Sequence, residues 1–251
     1  MVESDDERFA GTRSVTLVPS TAPRGVIFDG DDTLWLTEHL YDEARASARE
    51  IIQRAGLDGA SWEQWQRALD LANVERVGHS PSRFPTSCVQ ALDAVDVDGR
   101  CRREVREAVW AAAQQVFTAD APLRPGATRV VSDLVRRGLR LGLLTKGDAD
   151  VQRRRIDCSG LRPLFDVVAV VAKKSPGDFR RVVTQLDLEP REVLSVGNSV
   201  RSDIMPSLSA GVNAIWVPAY VWDYERSEDE AVPDHVARIT KLDELLEVLD
   251  C

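Results

Sequence analysis

The sequence predicts an α/β fold: a doubly wound parallel sheet core carrying an inserted all-helical cap domain. Three observations lead there. Short, nearly continuous apolar runs alternate with helical patterns through the second half of the chain, as strands buried on both faces and joined by helices do. A single apolar run, Val26, Ile27 and Phe28, stands near the start with no neighbouring strand, so it has to join that later sheet. Between them, residues 38–120 repeat their apolar positions at three- and four-residue intervals, which is helical spacing.

The elements follow in order. After the strand at 26–28, helical patterns cover 39–55, 61–76 and 100–118, with Ser61 and Gln64 spaced as a capping box. Residues 77–85 are rich in Gly, Ser and Pro and read as a loop. Pro125 and Gly138 bracket a helix at its first and just-past-last positions. Strands at 139–145, 167–171, 193–197 and 214–217 then alternate with helices ending near 159 and spanning 176–187 and 201–210. The organisation expected is a disordered polar leader over 1–24, with a stray edge strand at 15–18, then a core built from 25–36 and 121–251 and a helical cap over 37–120.

The 251 residues carry a net charge of −9, with 43% hydrophobic and 29% charged residues. That balance excludes a protein that coats nucleic acid, because phosphate backbones require a basic face. An anionic ligand therefore has to be held by local Lys, Arg, metal or backbone N–H groups. No 18-residue apolar run exists, so no membrane span is expected. Cys88, Cys101, Cys158 and Cys251 show no CxxC spacing, which fits a reduced, cytoplasmic chain. Trp62, Trp65 and Trp110 read as core or cap packing, Trp216 as core, Trp35 as a wall of the site formed by the acidic motif it follows, and 225–230 as a solvated acidic run.

In doubly wound sheets, ligands sit beyond the carboxyl ends of the strands, where strand order reverses. The first strand delivers Asp29 and Asp31, two residues apart and so pointing the same way. Converging carboxylates suit a cation, or a pair in which one is nucleophile and the other exchanges a proton. The later strand ends carry Thr145, Lys146 and Gly147, then Lys173 and Lys174, then Gly197, Asn198 and Ser199 with Asp203 a turn on. Each fragment alone has a plainer reading as a turn, a solvated lysine pair or helix caps. All four strand ends together carry the groups that phosphate chemistry requires.

With these motifs in this order, the chain resembles the haloacid dehalogenase (HAD)-like hydrolase superfamily across residues 26 to about 217. The resemblance implies a Rossmann-like core with a helical cap of the family's first type. It implies Asp29 as nucleophile, Asp31 as general acid/base, Thr145 as the second motif's hydroxyl and Lys174 as the third motif's lysine, with Lys173 as the alternative. Asp29, Asp31, Asn198 and Asp203 would surround Mg²⁺, and Thr33, Lys146 and Gly147 would hold the substrate phosphate. The activity implied is a phosphatase that hydrolyses a small phosphorylated metabolite through an aspartyl-phosphate. Substrate choice is expected in the cap, where His79 and Arg83 of the 78–87 loop would meet the distal group. One departure stands out: the family's fourth motif usually has Asp where this chain has Asn198, which keeps an oxygen but drops a charge. The alternatives are a 2-haloacid dehalogenase on the same fold, or a non-catalytic binding or regulatory member with a weakened metal site. Neither nucleic acid nor membrane is an expected partner, and oligomeric state is not legible.

Overall fold

A computed structural model describes residues 22–99, 101–219 and 232–250. The expectations for 1–21, the acidic run at 225–230 and Cys251 lie outside these residues. In chain order the strands are β1 (Gly25–Phe28), β2 (Arg140–Lys146), β3 (Val167–Val171), β4 (Val193–Gly197), β5 (Asn213–Trp216) and β6 (Ala237–Arg238). The helices are α1 (Glu38–Arg54), α2 (Gly59–Val77), α3 (Arg83–Val95), α4 (Arg103–Thr118), α5 (Ala127–Arg136), α6 (Ala149–Cys158), α7 (Pro176–Gln185), α8 (Met205–Ser209) and α9 (Glu244–Leu249).

All six strands pair in parallel in the order β3-β2-β1-β4-β5-β6, a Rossmann-like doubly wound sheet. The direction of winding changes between β1 and β4, so the crevice expected in such sheets opens at their carboxyl ends. Strand side chains alternate between faces. Val26, Phe28, Leu141, Leu143 and Val196 pack with Val130 and Leu134 of α5 and Leu245 of α9. Ile27 and Leu144 point to the other face, against Phe179, Val182 and Val183 of α7. Every residue of β1 is buried, which anchors the catalytic-loop candidate that follows it.

Helices α1–α4 are inserted between β1 and α5 and share an apolar cluster of their own, including Ile52, Trp62, Phe84, Leu92, Val109 and Val116. The outgoing and returning chains run side by side. Leu36 N–H donates to Pro122 O at 2.8 Å, and Arg124 N–H to Leu34 O at 2.9 Å. Asp32, at φ 58°, turns its carboxylate onto the start of α1, accepting from Thr37 N at 2.8 Å and Glu38 N at 3.2 Å. Arg124 Nη1 donates to Asp32 O at 2.9 Å and ties the two linkers together.

Several boundaries differ from the sequence reading. The stretch expected as a loop ends early, because α3 begins at Arg83 with Pro85 in its first turn, where a missing N–H costs no helical bond. Helix α2 begins two residues before Ser61. Asp58 is its cap, accepting from Ala60 N and Ser61 N, so the Ser61–Gln64 box does not form. Trp62 is buried, with its Nε1–H on Cys88 O, but Trp65 and Trp110 are exposed at 52% and 36% and stand outside the cap's buried cluster. The helix expected at 201–210 is a π-helical turn, Val200–Ile204, followed by α8. Pro206 has no N–H to continue an α-helical ladder across that junction. Strand β6 and helix α9 were not expected at all.

Candidate active site

Asp29 emerges from β1, its N–H bonded to Val196 O of β4 at 2.9 Å. Its carboxylate is 8% exposed. Lys174 Nζ donates to Asp29 Oδ1 at 2.5 Å and to Asp203 Oδ1 at 2.6 Å. Thr33 Oγ1 donates to Asp29 Oδ2 at 2.9 Å and lies 3.4 Å from Asn198 Oδ1. Of the two lysines at the end of β3, Lys174 is buried and reaches the carboxylates, whereas Lys173 is exposed. Burial first, and the Asp203 charge second, push the Asp29 pKa up to about 7, against the pull of Lys174. Burial alone would lower Lys174, but Asp203 and Asp29 overcome it and hold the lysine above its ordinary range.

Asp31 is placed differently. Its Oδ1 accepts from Trp35 Nε1 at 2.6 Å, and its Oδ2 from Gln152 Nε2 at 2.9 Å and Arg155 Nη1 at 2.7 Å. Thr145 Oγ1 donates to Gln152 Oε1 at 3.3 Å. The Trp35 ring lies so close over Gly30 that any Cβ there would collide with it. Gly147 sits at φ 136°, a backbone open chiefly to glycine, against the Gln152 side chain. Lys146 Nζ donates to Ser202 Oγ at 2.9 Å.

Asp203 has both oxygens engaged: Oδ1 by Lys174 and Oδ2 by Ser199 N–H at 2.9 Å. The π-helical turn brings it there, and Gly197 leaves it room. A Cβ on Gly197 would meet Asp203 Cβ, Cγ and Oδ2 at 2.5 Å. Trp216 Nε1 donates to Asn198 O at 2.8 Å and fixes the backbone at the end of β4. Among the described residues, no group of three or more His, Cys, Asp or Glu side chains forms a ready cage for a metal ion. Asp29 Oδ2 and Asn198 Oδ1 both face the Thr33 hydroxyl, as Asp29 Oδ1 and Asp203 Oδ1 both face Lys174 Nζ.

These groups floor a cavity of about 160 Å³ roofed by the inserted helices. His79 and Arg83 line it, as do Tyr41, Arg45 and Glu38, which the sequence reading missed. Arg83 is buried on the first turn of α3, with Nε 3.4 Å from Asp70 Oδ1. Arg45 Nη2 donates to Glu38 Oε1 at 2.6 Å, and burial, opposed by Arg45, lifts Glu38 to about 7. The available signal was spacing. Glu38, Tyr41 and Arg45 lie three and four residues apart on one face of α1, and Gln152 and Arg155 three apart on α6. Such spacing equally describes a solvated face, so only the packing distinguishes the two.

Residues 23–211 match the haloacid dehalogenase-like hydrolase family, and the chain belongs to it. It is therefore a hydrolase, and the strand-end carboxylates just described are its candidate site. Among known proteins it is similar to a phosphoserine phosphatase of Thermus thermophilus, 31% identical over 83% of this chain and 93% of that protein. A glyceraldehyde 3-phosphate phosphatase of Pyrococcus furiosus is 28% identical over 90% of this chain and 92% of its own. A solved haloacid dehalogenase-like family hydrolase from Xanthomonas campestris superposes with a TM-score of 0.74 at 25% identity, covering 91% of this chain and 96% of that one.

Proposed function

We propose that the chain is a Mg²⁺-dependent phosphatase that hydrolyses a small phosphate monoester through an aspartyl-phosphate on Asp29. The observation that carries this reading is the buried Asp29–Lys174–Asp203 chain beside an Asp31 held by three donors. Its curated relatives are named as phosphatases of small metabolites, which supports the same class.

Asp29 attacks phosphorus in line, so that a bond from its carboxylate forms as the ester P–O bond breaks. Asp31 gives its proton to the departing alkoxide. Left ionised, it then takes a proton from the water that cleaves the acyl phosphate and frees Asp29. Charge on the transferring phosphoryl group spreads over its equatorial oxygens, so positioning and electrostatics do most of the work. Lys174, the Thr145 hydroxyl and the backbone around Gly30 and Lys146 supply positive or donating groups there. A halide leaving group would need no proton, so the presence of Asp31 favours an ester over a haloacid.

The residues present fit a hard cation. Asp29 and Asn198 offer oxygens converging on the Thr33 hydroxyl, and Asp203 stands behind through Lys174. A bound Mg²⁺ supplies charge neutralisation between nucleophile and phosphate. Asn198 contributes a neutral oxygen, so affinity for the ion is lower than an Asp would give. The free thiols of Cys88, Cys101 and Cys158 fit a reducing cytoplasm.

The test is phosphate release from a panel of phosphomonoesters including O-phosphoserine and glyceraldehyde 3-phosphate, with and without Mg²⁺. Asp29→Asn is expected to lose about three orders of magnitude in turnover or more. Release that survives in Asp29→Asn refutes the nucleophile, and silence of the folded wild type across the panel refutes the phosphatase.

A further inference from the structure

Arg155 lies outside the sequence motifs, yet it joins the general acid/base to the inserted helices. It rises from α6 in the core with its side chain 6% exposed. Nη1 donates to Asp31 Oδ2 at 2.7 Å. Nη2 donates to Val116 O on α4 at 3.4 Å, and the Tyr41 hydroxyl of α1 stands near enough to the guanidinium to stabilise its charge. Tyr41 in turn is wedged edge-on between Phe84 and Phe117, with centroids 5.0 and 6.3 Å away. One planar cation thus bridges the carboxylate below and two helices of the cap above.

The geometry also constrains Asp31. A carboxylate has about four acceptor positions on its two oxygens. Trp35 takes one on Oδ1, and Gln152 and Arg155 take both on Oδ2. The position left is on Oδ1, the place where a transferable proton has room. Trp35 and Gln152 belong to the core: Trp35 packs in its apolar cluster, and Gln152 lies one turn before Arg155 on α6. Arg155 alone among the three donors is also held by the cap.

We propose that Arg155 is a positioning residue that aims the Asp31 proton at the leaving oxygen only while the cap, through Tyr41 and Val116, holds the guanidinium in place. The proposal rests on the phosphatase reading, in which the proton on Asp31 Oδ1 passes to the alkoxide as the P–O bond breaks. With the cap lifted, Arg155 loses its cap neighbours, and Asp31 keeps only its core donors Trp35 and Gln152 as fixed points. Acid catalysis is thereby reserved for an enclosed substrate.

The readout is dependence on the leaving group. An alkoxide departs poorly without a proton, whereas the nitrophenolate of p-nitrophenyl phosphate departs well without one. Turnover and KM are measured for p-nitrophenyl phosphate and for the alkyl phosphomonoester that the wild type cleaves fastest in the panel above. Arg155→Met is expected to lose at least about tenfold more turnover on the alkyl ester than on the aryl ester, within the range acid catalysis contributes. Its KM values stay within about threefold, and Arg155→Lys recovers part of the alkyl turnover. Tyr41→Phe deletes only the hydroxyl and keeps the packed ring, and it shows the same selective loss, at least about threefold. Equal losses on both esters, or a change confined to KM, overturn the proposal. If Arg155→Met does not fold, Tyr41→Phe decides alone. A wild type without phosphatase activity that depends on Asp29 instead overturns the function on which the proposal stands.

Discussion

Adding one methyl group at Gly197 tests how closely the site is built. An alanine Cβ there would stand 2.5 Å from Asp203 Cβ, Cγ and Oδ2, about an ångström inside ordinary contact. The blocking atoms include the stem of Asp203, so no rotation of a flexible tip relieves the clash. Asp203 must move by about half an ångström or more, and it is held by Lys174 at 2.6 Å and Ser199 N–H at 2.9 Å. Lys174 then leaves its place on Asp29. Overpacking of this kind costs about 1–3 kcal/mol, and a displacement near 1 Å at a reacting group costs about a hundredfold in rate. Gly197→Ala is therefore expected to lower the melting temperature by roughly 2–10 °C and turnover by about two orders of magnitude. Phosphate release and a thermal melt read both. Gly177→Ala, whose Cβ would meet only Ser175 Oγ at 3.6 Å, is the control, expected neutral or slightly stabilising with full activity. Wild-type turnover and melting in Gly197→Ala would refute the claim that this glycine sets the position of Asp203.

Two further perturbations probe charge. Lys174→Met leaves Asp29 and Asp203 buried without their shared cation, and removing one partner of such a pair costs about 3–5 kcal/mol. Urea titration is expected to show that loss together with abolished phosphate release, and a midpoint equal to wild type would contradict it. Glu38 is raised from 4.5 to about 7, by burial first, so the folded state keeps a proton that the unfolded chain releases. That contribution to stability is complete below about pH 4.5 and is lost as pH rises through about 7. Glu38→Gln removes the loss, so the variant gains on wild type across that window by at most about 3 kcal/mol. A stability difference independent of pH would mean that Glu38 titrates normally.

What was legible in the sequence depended on how local its cause was. Val26, Ile27 and Phe28 form a strand wherever they meet a sheet, so the placement of Asp29 at its end could be read directly. The same holds for Thr145 and for the residues after Gly197, each at the end of an apolar run. Helix α3 was hidden because Pro85 and the serines look like loop formers, although a proline in a first turn is permitted. Arg83 was consequently expected on a loop and sits on a buried helix face. Gln152 and Arg155 could not be told from a solvated face, because the groups that hold them are distant in sequence: Asp31 for both, and Val116 of α4 for Arg155. Strand β6, two residues long, has no pattern of its own and exists only because β5 offers an edge.

The paired linkers at Leu36–Pro122 and Leu34–Arg124 have a consequence for how such a chain can diversify. The segment they bracket leaves and re-enters the core at points one hydrogen bond apart, so its length is almost free. Closing a longer excursion costs only about 0.6 kcal/mol per doubling. Everything beyond that tie can therefore be exchanged, while the strand ends inherit no strain from the exchange. Asp32 and Arg124, which secure the tie, stand at the seam between a fixed sheet and a replaceable insertion.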